Sequence, residues 1–167
     1  SYGRVAGSYR VIDALSTLAF DYPPRSPFFT SELKNVLILS RDQGIDPMSL
    51  MGSYAGAMGY GQFMPSSYRN YAIDFDNDDR GEIWNNPVDA IGSVANYFKQ
   101  HGWRTGEIAV SAATAAKNTP EAIFVKNRKD LQPTRTVAQF AAEGVVAKIK
   151  LDPEALATAM KFEQKEG

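Results

Sequence analysis

Gly52-Ser-Tyr-Ala-Gly-Ala-Met-Gly-Tyr-Gly-Gln-Phe-Met-Pro-Ser-Ser-Tyr68 follows neither a helical nor a strand period and crowds glycine together with aromatic residues. A segment of that composition packs its backbone closely or lets a ligand approach it. Gly56, Gly59 and Gly61 form no dinucleotide fingerprint, because no strand precedes them and the spacing differs. Two readings stay open. Glycines serve helix packing and aromatic clusters serve cores, whereas Ser53 and Gln62 beside Tyr60, Phe63 and Tyr68 combine the amides and flat apolar faces that sugar rings need. Met58 and Met64 suit core filling.

On the N-terminal side, Val11, Ile12, Leu15, Leu18 and Ala19 recur at helical spacing until Asp21-Tyr22-Pro23-Pro24 breaks the pattern. A second helix is predicted from about Ser31 to Arg41, capped by Thr30 or Ser31 and stopped by Gly44 and Asp46-Pro47. Arg25, in the proline-rich turn between them, reads as a surface charge.

On the C-terminal side, Asn86 is a good N-cap, Pro87 suits the first helical position and Gly102 the C-terminal cap. Val88, Ile91, Val94, Ala95 and Phe98 form one apolar stripe, with Tyr97 at its edge and Phe98 read as core. His101 reads as a partner for the helix dipole, and Trp84 and Trp103 as staples at the two helix ends. Beyond Trp103 the composition shifts toward Ala, Thr, Val and Lys. A small mixed appendage is predicted, with short strands suggested by the apolar runs Ile108 to Val110 and Ile123 to Val125, and a brief helix from Thr136 to Gly144. Residues 151–167 are ambiguous: Asp152-Pro153 is a helix start, yet Met160-Lys161-Phe162-Glu163 alternates like a strand.

Composition narrows the chemistry. The 167 residues carry 18 Lys and Arg against 19 Asp and Glu, one His and no Cys. A balanced charge offers no electrostatic footprint for nucleic acid. Without Cys there is no thiolate nucleophile, disulfide or Cys-type zinc site, and a Ser-His-Asp relay hangs on His101 alone. No apolar run approaches the roughly 18 residues of a membrane span.

The acidic run Asp74-Phe-Asp76-Asn-Asp78-Asp-Arg80-Gly-Glu82 places carboxylates at alternate residues, as an EF-hand loop does to surround Ca²⁺ with oxygens. With Asp74 as first position, Asp76 and Asp78 fall third and fifth, the Arg80 carbonyl seventh and Glu82 ninth. Asp79 stands sixth, where Gly normally makes the turn, and Asn85 replaces the bidentate Glu at the twelfth. A closing carboxylate is available from Asp89, which otherwise serves only to cap the Asn86 helix. Hard oxygen ligands favour Ca²⁺ over transition metals.

Taken together, Gly52 to Tyr68, the acidic loop and Asn86-Pro-Val-Asp-Ala-Ile-Gly-Ser-Val-Ala-Asn-Tyr-Phe98 resemble the lytic murein transglycosylase B family of bacterial peptidoglycan-cleaving enzymes. The likeness runs from Ser1 to about Trp103 and continues more weakly beyond. It implies an α+β, mostly α fold: a goose-lysozyme-like helical core over residues 1–104, an EF-hand-like calcium loop over 74–89, and a small β-containing subdomain over 105–167. It further implies that Asp74, Asp76, Asp78, the Arg80 carbonyl and Asp89 hold a structural Ca²⁺. Ser53, Gln62, Phe63 and Tyr97 would hold the glycan strand, and Arg25 would meet the stem peptide. A periplasmic location follows, with outer-membrane anchoring of the full-length protein as an option.

In that family the catalytic Glu sits in a Glu-Thr-x-x-Gly-Arg pattern. Ser1-Tyr2-Gly3-Arg4 matches its end, so the Glu is expected two positions before Ser1, and the family's C-terminal Tyr-Asn-Arg-Ser segment after Gly167. The chain by itself is therefore expected to turn over no murein, with Glu32 and Glu82 as the in-chain acids to test. Two other expectations compete with the enzyme: a non-catalytic glycan-binding module, and a calcium-stabilised structural domain acting through protein partners.

Overall fold

Val11, Leu15 and Ala19, four residues apart, all face inward on helix α1 (Val11–Asp21). A single 3-10 turn, Pro23–Arg25, leads into α2 (Ser26–Gln43), which buries Phe29, Glu32, Val36, Leu39 and Ser40. The computed structural model describes residues 6–126 and 131–162. Two compact units divide the chain, Ser1–Thr105 and Gly106–Gly167.

In the first unit, α2 starts earlier than the expected Ser31. Pro27 lies in the first turn, where a missing N–H is harmless, and the Ser26 hydroxyl donates to the Ala19 carbonyl. Thr30 and Ser31 are thus interior rather than capping. Gly44 ends the helix in the left-handed conformation, φ 64°, with its N–H on the Arg41 and Ser40 carbonyls. A two-residue antiparallel pair joins β1 (Tyr9–Arg10) to β2 (Met51–Gly52).

Next comes the glycine-aromatic loop, closed by bridges Gly52 to Met58 and Met58 to Phe63. Here the glycines do the packing. A Cβ on Gly56 (φ 83°) would lie 2.5 Å from the Leu15 side chain, and one on Gly59 (φ 64°) 2.6 Å from the Ile83 carbonyl oxygen. The loop runs into α3 (Pro65–Tyr71), a short helix that the sequence pattern hid. Finally, α4 (Pro87–Gln100) begins at Asn86, whose side chain accepts from the Val88 and Asp89 N–H groups. One core joins these parts, from Val11, Leu15, Val36 and Leu39 to Met58, Phe63, Tyr68, Ile83 and Ala90.

Of the expected apolar stripe, only Val94 packs against the core. Asp89, Ala90, Gly92 and Ser93 turn inward, while Val88, Ile91 and Phe98 are exposed, Ile91 by 71%. Small and polar residues win the inward face because α4 docks on backbone. Ser93 Oγ accepts from the Ile73 N–H, Asn96 donates to the Tyr71 carbonyl, and a Cβ on Gly92 would lie 2.6 Å from Phe75. Phe98 is therefore not core; it packs on Trp103 at 5.8 Å. At the other end of α4, Trp84 packs on Tyr68 at 5.2 Å.

The second unit holds two antiparallel pairs, β3 (Ala113–Ala115) with β5 (Val145–Ala147) and β4 (Arg135–Thr136) with β6 (Leu156–Ala157). Helix α5 (Val137–Ala142) lies within the brief helix expected over Thr136 to Gly144 and starts in a reciprocal cap between Thr136 and Gln139. Its core is small: Ile123, Phe140 and Val145. The expected strands at Ile108 to Val110 and Ile123 to Val125 do not form. Val110 is 87% exposed, and Ile123 ends a 3-10 turn at Glu121–Ile123. Asp152-Pro153 starts no helix; Asp152 Oδ1 instead accepts the Glu154 N–H in a turn. Met160 to Phe162 is not a strand, and Glu163 lies outside the described residues.

Candidate functional site

Ser53 opens the glycine-aromatic loop and organises it: its N–H donates to the Ala57 carbonyl at 2.8 Å, and its hydroxyl accepts from the Ala57 and Ala55 N–H groups. Its own hydroxyl proton remains available. Gln62 sits on the same loop in the left-handed region, φ 52°, which few side chains adopt without local support. That support comes from its amide nitrogen, which donates to the Gly59 carbonyl at 2.9 Å and the Ala6 carbonyl at 3.1 Å. With the nitrogen committed, Oε1 is the atom left to accept from a ligand.

Phe63 follows, 7% exposed, with its ring 5.9 Å from that of Tyr97 on α4. It backs Tyr97 rather than offering a free face. Tyr97, Gln62 and Ser53 are half-buried, so all three remain reachable from solvent. Arg25 has its guanidinium over Phe28 at 4.4 Å and Phe29 at 5.2 Å, where the ring faces attract it.

The acidic loop converges as its spacing suggested. Carboxylate oxygens of Asp74, Asp76, Asp78 and Asp89 all lie within 4.8 Å of one another. Asp89 is fully buried, and its two oxygens accept from the N–H groups of Phe75 at 2.7 Å and Glu82 at 2.9 Å, pinning both ends of the loop to α4. Asp74 accepts from the Asp78 and Asp79 N–H groups. Asp79 takes φ 68°, the conformation a Gly would supply at this turn, and Asn77 takes φ 63°. Four carboxylates this close repel one another unless a cation lies among them, and hard oxygens at this spacing suit a divalent cation such as Ca²⁺. The donor set therefore fits.

Three supporting contacts escaped the sequence reading. Asn86 does more than cap α4, since its amide also donates to Asp76 Oδ2 at 2.9 Å. Tyr68 donates its hydroxyl to the Gly81 carbonyl at 2.9 Å; burial raises its pKa, followed by the negative charges of Glu82 and Asp89. Glu32, buried on α2, accepts from the Ser66 N–H and hydroxyl at the start of α3. A Glu amid an otherwise apolar helix face was the one available signal for the last. Both in-chain acids are thereby engaged, for Glu82 Oε1 accepts from Asn85 at 2.7 Å.

The helix-rich first unit is that of a lysozyme-like transglycosylase fold, and the chain belongs to the lytic murein transglycosylase family: the transglycosylase SLT domain matches residues 1–167. Membrane-bound lytic murein transglycosylase B of Escherichia coli K12 is 45% identical over 163 residues, 97% of this chain and 43% of that protein. Soluble lytic transglycosylase SltB1 from Pseudomonas aeruginosa superposes with a TM-score of 0.89 at 52% identity, over 99% of this chain and 54% of that one. The E. coli lytic transglycosylase Slt35, solved in complex with calcium, gives 0.82 at 45% identity, over 95% and 48%. SltB3 from P. aeruginosa, solved with NAG-anhNAM-pentapeptide, gives 0.75 at 31%, over 86% and 37%. The chain thus spans about half the length of the relatives it matches. Among the described residues, no helix is long and apolar enough to cross a membrane.

Proposed function

We propose that this chain forms the glycan-holding part of a peptidoglycan lytic transglycosylase of the bacterial periplasm, cleaving the β-1,4 bond between N-acetylmuramic acid and N-acetylglucosamine. One observation carries the reading: Ser53 and Gln62, both half-buried, hold the backbone of one loop by hydrogen bonds, and the half-buried Tyr97 packs its ring on Phe63 of the same loop. Ser53 offers a hydroxyl, Gln62 an acceptor oxygen and Tyr97 an aromatic surface, the set that orients an N-acetylated sugar. Arg25, held over two rings, is the cation proposed to meet a carboxylate of the stem peptide. The relative solved with NAG-anhNAM-pentapeptide supports a ligand that carries both sugar and peptide.

The acid would be the Glu of the family's Glu-Thr-x-x-Gly-Arg pattern, to which Gly3 and Arg4 correspond; both lie outside the described residues. Most glycosidases use two carboxylates, but here one suffices. Kept protonated by a poorly solvated groove, the Glu gives its proton to the glycosidic oxygen as the C1–O bond breaks. The resulting carboxylate takes the proton of the muramyl 6-hydroxyl, whose oxygen closes on C1 to form the 1,6-anhydro ring. No water is consumed. Asp74, Asp76, Asp78, the Arg80 carbonyl and Asp89 would hold Ca²⁺, which supplies loop rigidity and no chemistry. The calcium-bound relative supports that ion.

The test digests purified murein with the protein carrying Glu-Thr ahead of Ser1 and identifies products by mass. Anhydromuropeptides, 18 Da lighter than hydrolysis products, are expected, with Gln62→Ala lowering their release about 100-fold through lost orientation. Reducing-end muropeptides would instead show a hydrolase. Glycan binding without any release would favour the binding-module reading.

A further inference from the structure

We infer that His101 is a positioning residue of the glycan groove: its imidazole closes one face of the Tyr97 ring and fixes how that ring meets an N-acetylated sugar chain. The inference rests on the groove reading above and adds a residue that nothing there assigns. The two rings stack, centroids 4.0 Å apart and planes 24° from parallel. His101 Nδ1 lies 2.7 Å from the Tyr97 carbonyl oxygen. A carbonyl only accepts, so Nδ1 carries the proton and donates, leaving Nε2 as the acceptor of the neutral ring. The His101 backbone N–H reaches the same oxygen at 3.1 Å. One residue therefore grips both the backbone and the ring of Tyr97.

Helix capping alone does not require this arrangement. A cap needs only a donor on the last carbonyls, and Lys or Arg supplies one without an aromatic ring. The near-parallel stack is additional, and it uses the planarity of the imidazole. Tyr71 completes the enclosure, edge-on to Tyr97 at 5.0 Å and 5.1 Å from the His101 ring. With Phe63 on a further side at 5.9 Å, the Tyr97 ring has little freedom to turn. The surface it leaves open is thereby fixed, and a sugar binding there pays no ordering cost for the ring.

Because His101 is the sole histidine, its ring resonances give an unambiguous reporter. The probe is the N-acetylglucosamine tetramer, added to the chain while imidazole, Tyr97 ring and Gln62 amide signals are followed by NMR. Imidazole and Tyr97 signals are expected to move together on one binding curve. His101→Ala should weaken binding about 5-fold, and His101→Phe, which keeps a stacked ring but no donor, should restore it to within about 2-fold. Melting temperatures of the variants separate folding from positioning: if His101→Ala also melts lower, restored binding in His101→Phe still decides for the stack. Tetramer shifts at Gln62 and Tyr97 that leave the imidazole unmoved, or unchanged affinity in His101→Ala, would overturn the inference and spare the groove. Shifts at none of the three would remove the groove and this inference together.

Discussion

Asp89 has no exposed surface, yet its carboxylate is satisfied by two backbone N–H groups that would otherwise be buried without acceptors. Replacing it by Asn swaps one acceptor oxygen for a donor, so one N–H loses its partner at a cost of about 1–3 kcal/mol. Relief of repulsion from Asp74, Asp76 and Asp78 acts the other way. Asp76 and Asp78 are exposed, so their share of that term weakens at about 1 M salt, where the screening length falls to roughly 3 Å, while the share of half-buried Asp74 persists. Urea unfolding of Asp89→Asn in chelator and high salt should therefore show a lower midpoint; an unchanged midpoint would mean the two N–H groups find other acceptors. Asp89 was legible as a closing carboxylate because α4's start was marked by Asn86-Pro87. Gln62 was legible as an amide beside aromatics, but its committed nitrogen was not, since the Ala6 carbonyl lies 56 residues away in sequence.

At the scale of elements, the acidic loop is held to α4 by Asp89 and Asn86 and to α3 by Tyr68. Filling it with a cation should stiffen all three junctions. Calcium at a hundredfold above its Kd adds about 2.7 kcal/mol, which for a unit of this size raises Tm by about 10 °C. Asp76→Ala with Asp78→Ala should abolish the rise in a calorimetric scan, and an equal rise in the double variant would place the ion elsewhere. The convergence of Asp74, Asp76 and Asp78 was readable because these carboxylates are local, at alternate positions of one segment. Helix α4 was readable in extent but not in orientation: hydrophobicity pointed Val88, Ile91 and Phe98 inward, whereas docking on backbone selected Ala90, Gly92 and Ser93. Strands of the second unit were missed for a related reason. Ala113–Ala115 carries little strand propensity and is defined by its pairing with Val145–Ala147 far along the chain.

For the whole molecule, the question is whether either in-chain candidate acid, Glu32 or Glu82, can serve catalysis. Fold class was visible in the glycine-aromatic loop and acidic run because a family pattern fixes many uncommon residues at once, something no single helix period does. The chemistry is decided by acids, and the structure commits both in-chain candidates. Glu32 is 4% exposed and takes the Ser66 N–H at 2.9 Å and its hydroxyl at 2.6 Å, so it fixes α3 to α2 and offers no proton to a sugar. Glu82 is engaged by Asn85 in the acidic loop. A polypeptide of only these 167 residues should consequently bind the N-acetylglucosamine tetramer yet release no anhydromuropeptides from murein. Glu32→Gln should leave that binding within about 2-fold, because the amide keeps an acceptor for Ser66 and with it the junction of α2 and α3. Release of anhydromuropeptides by the 167-residue chain, abolished in Glu32→Gln, would transfer the acid to Glu32 and require α3 to open at Ser66 during turnover.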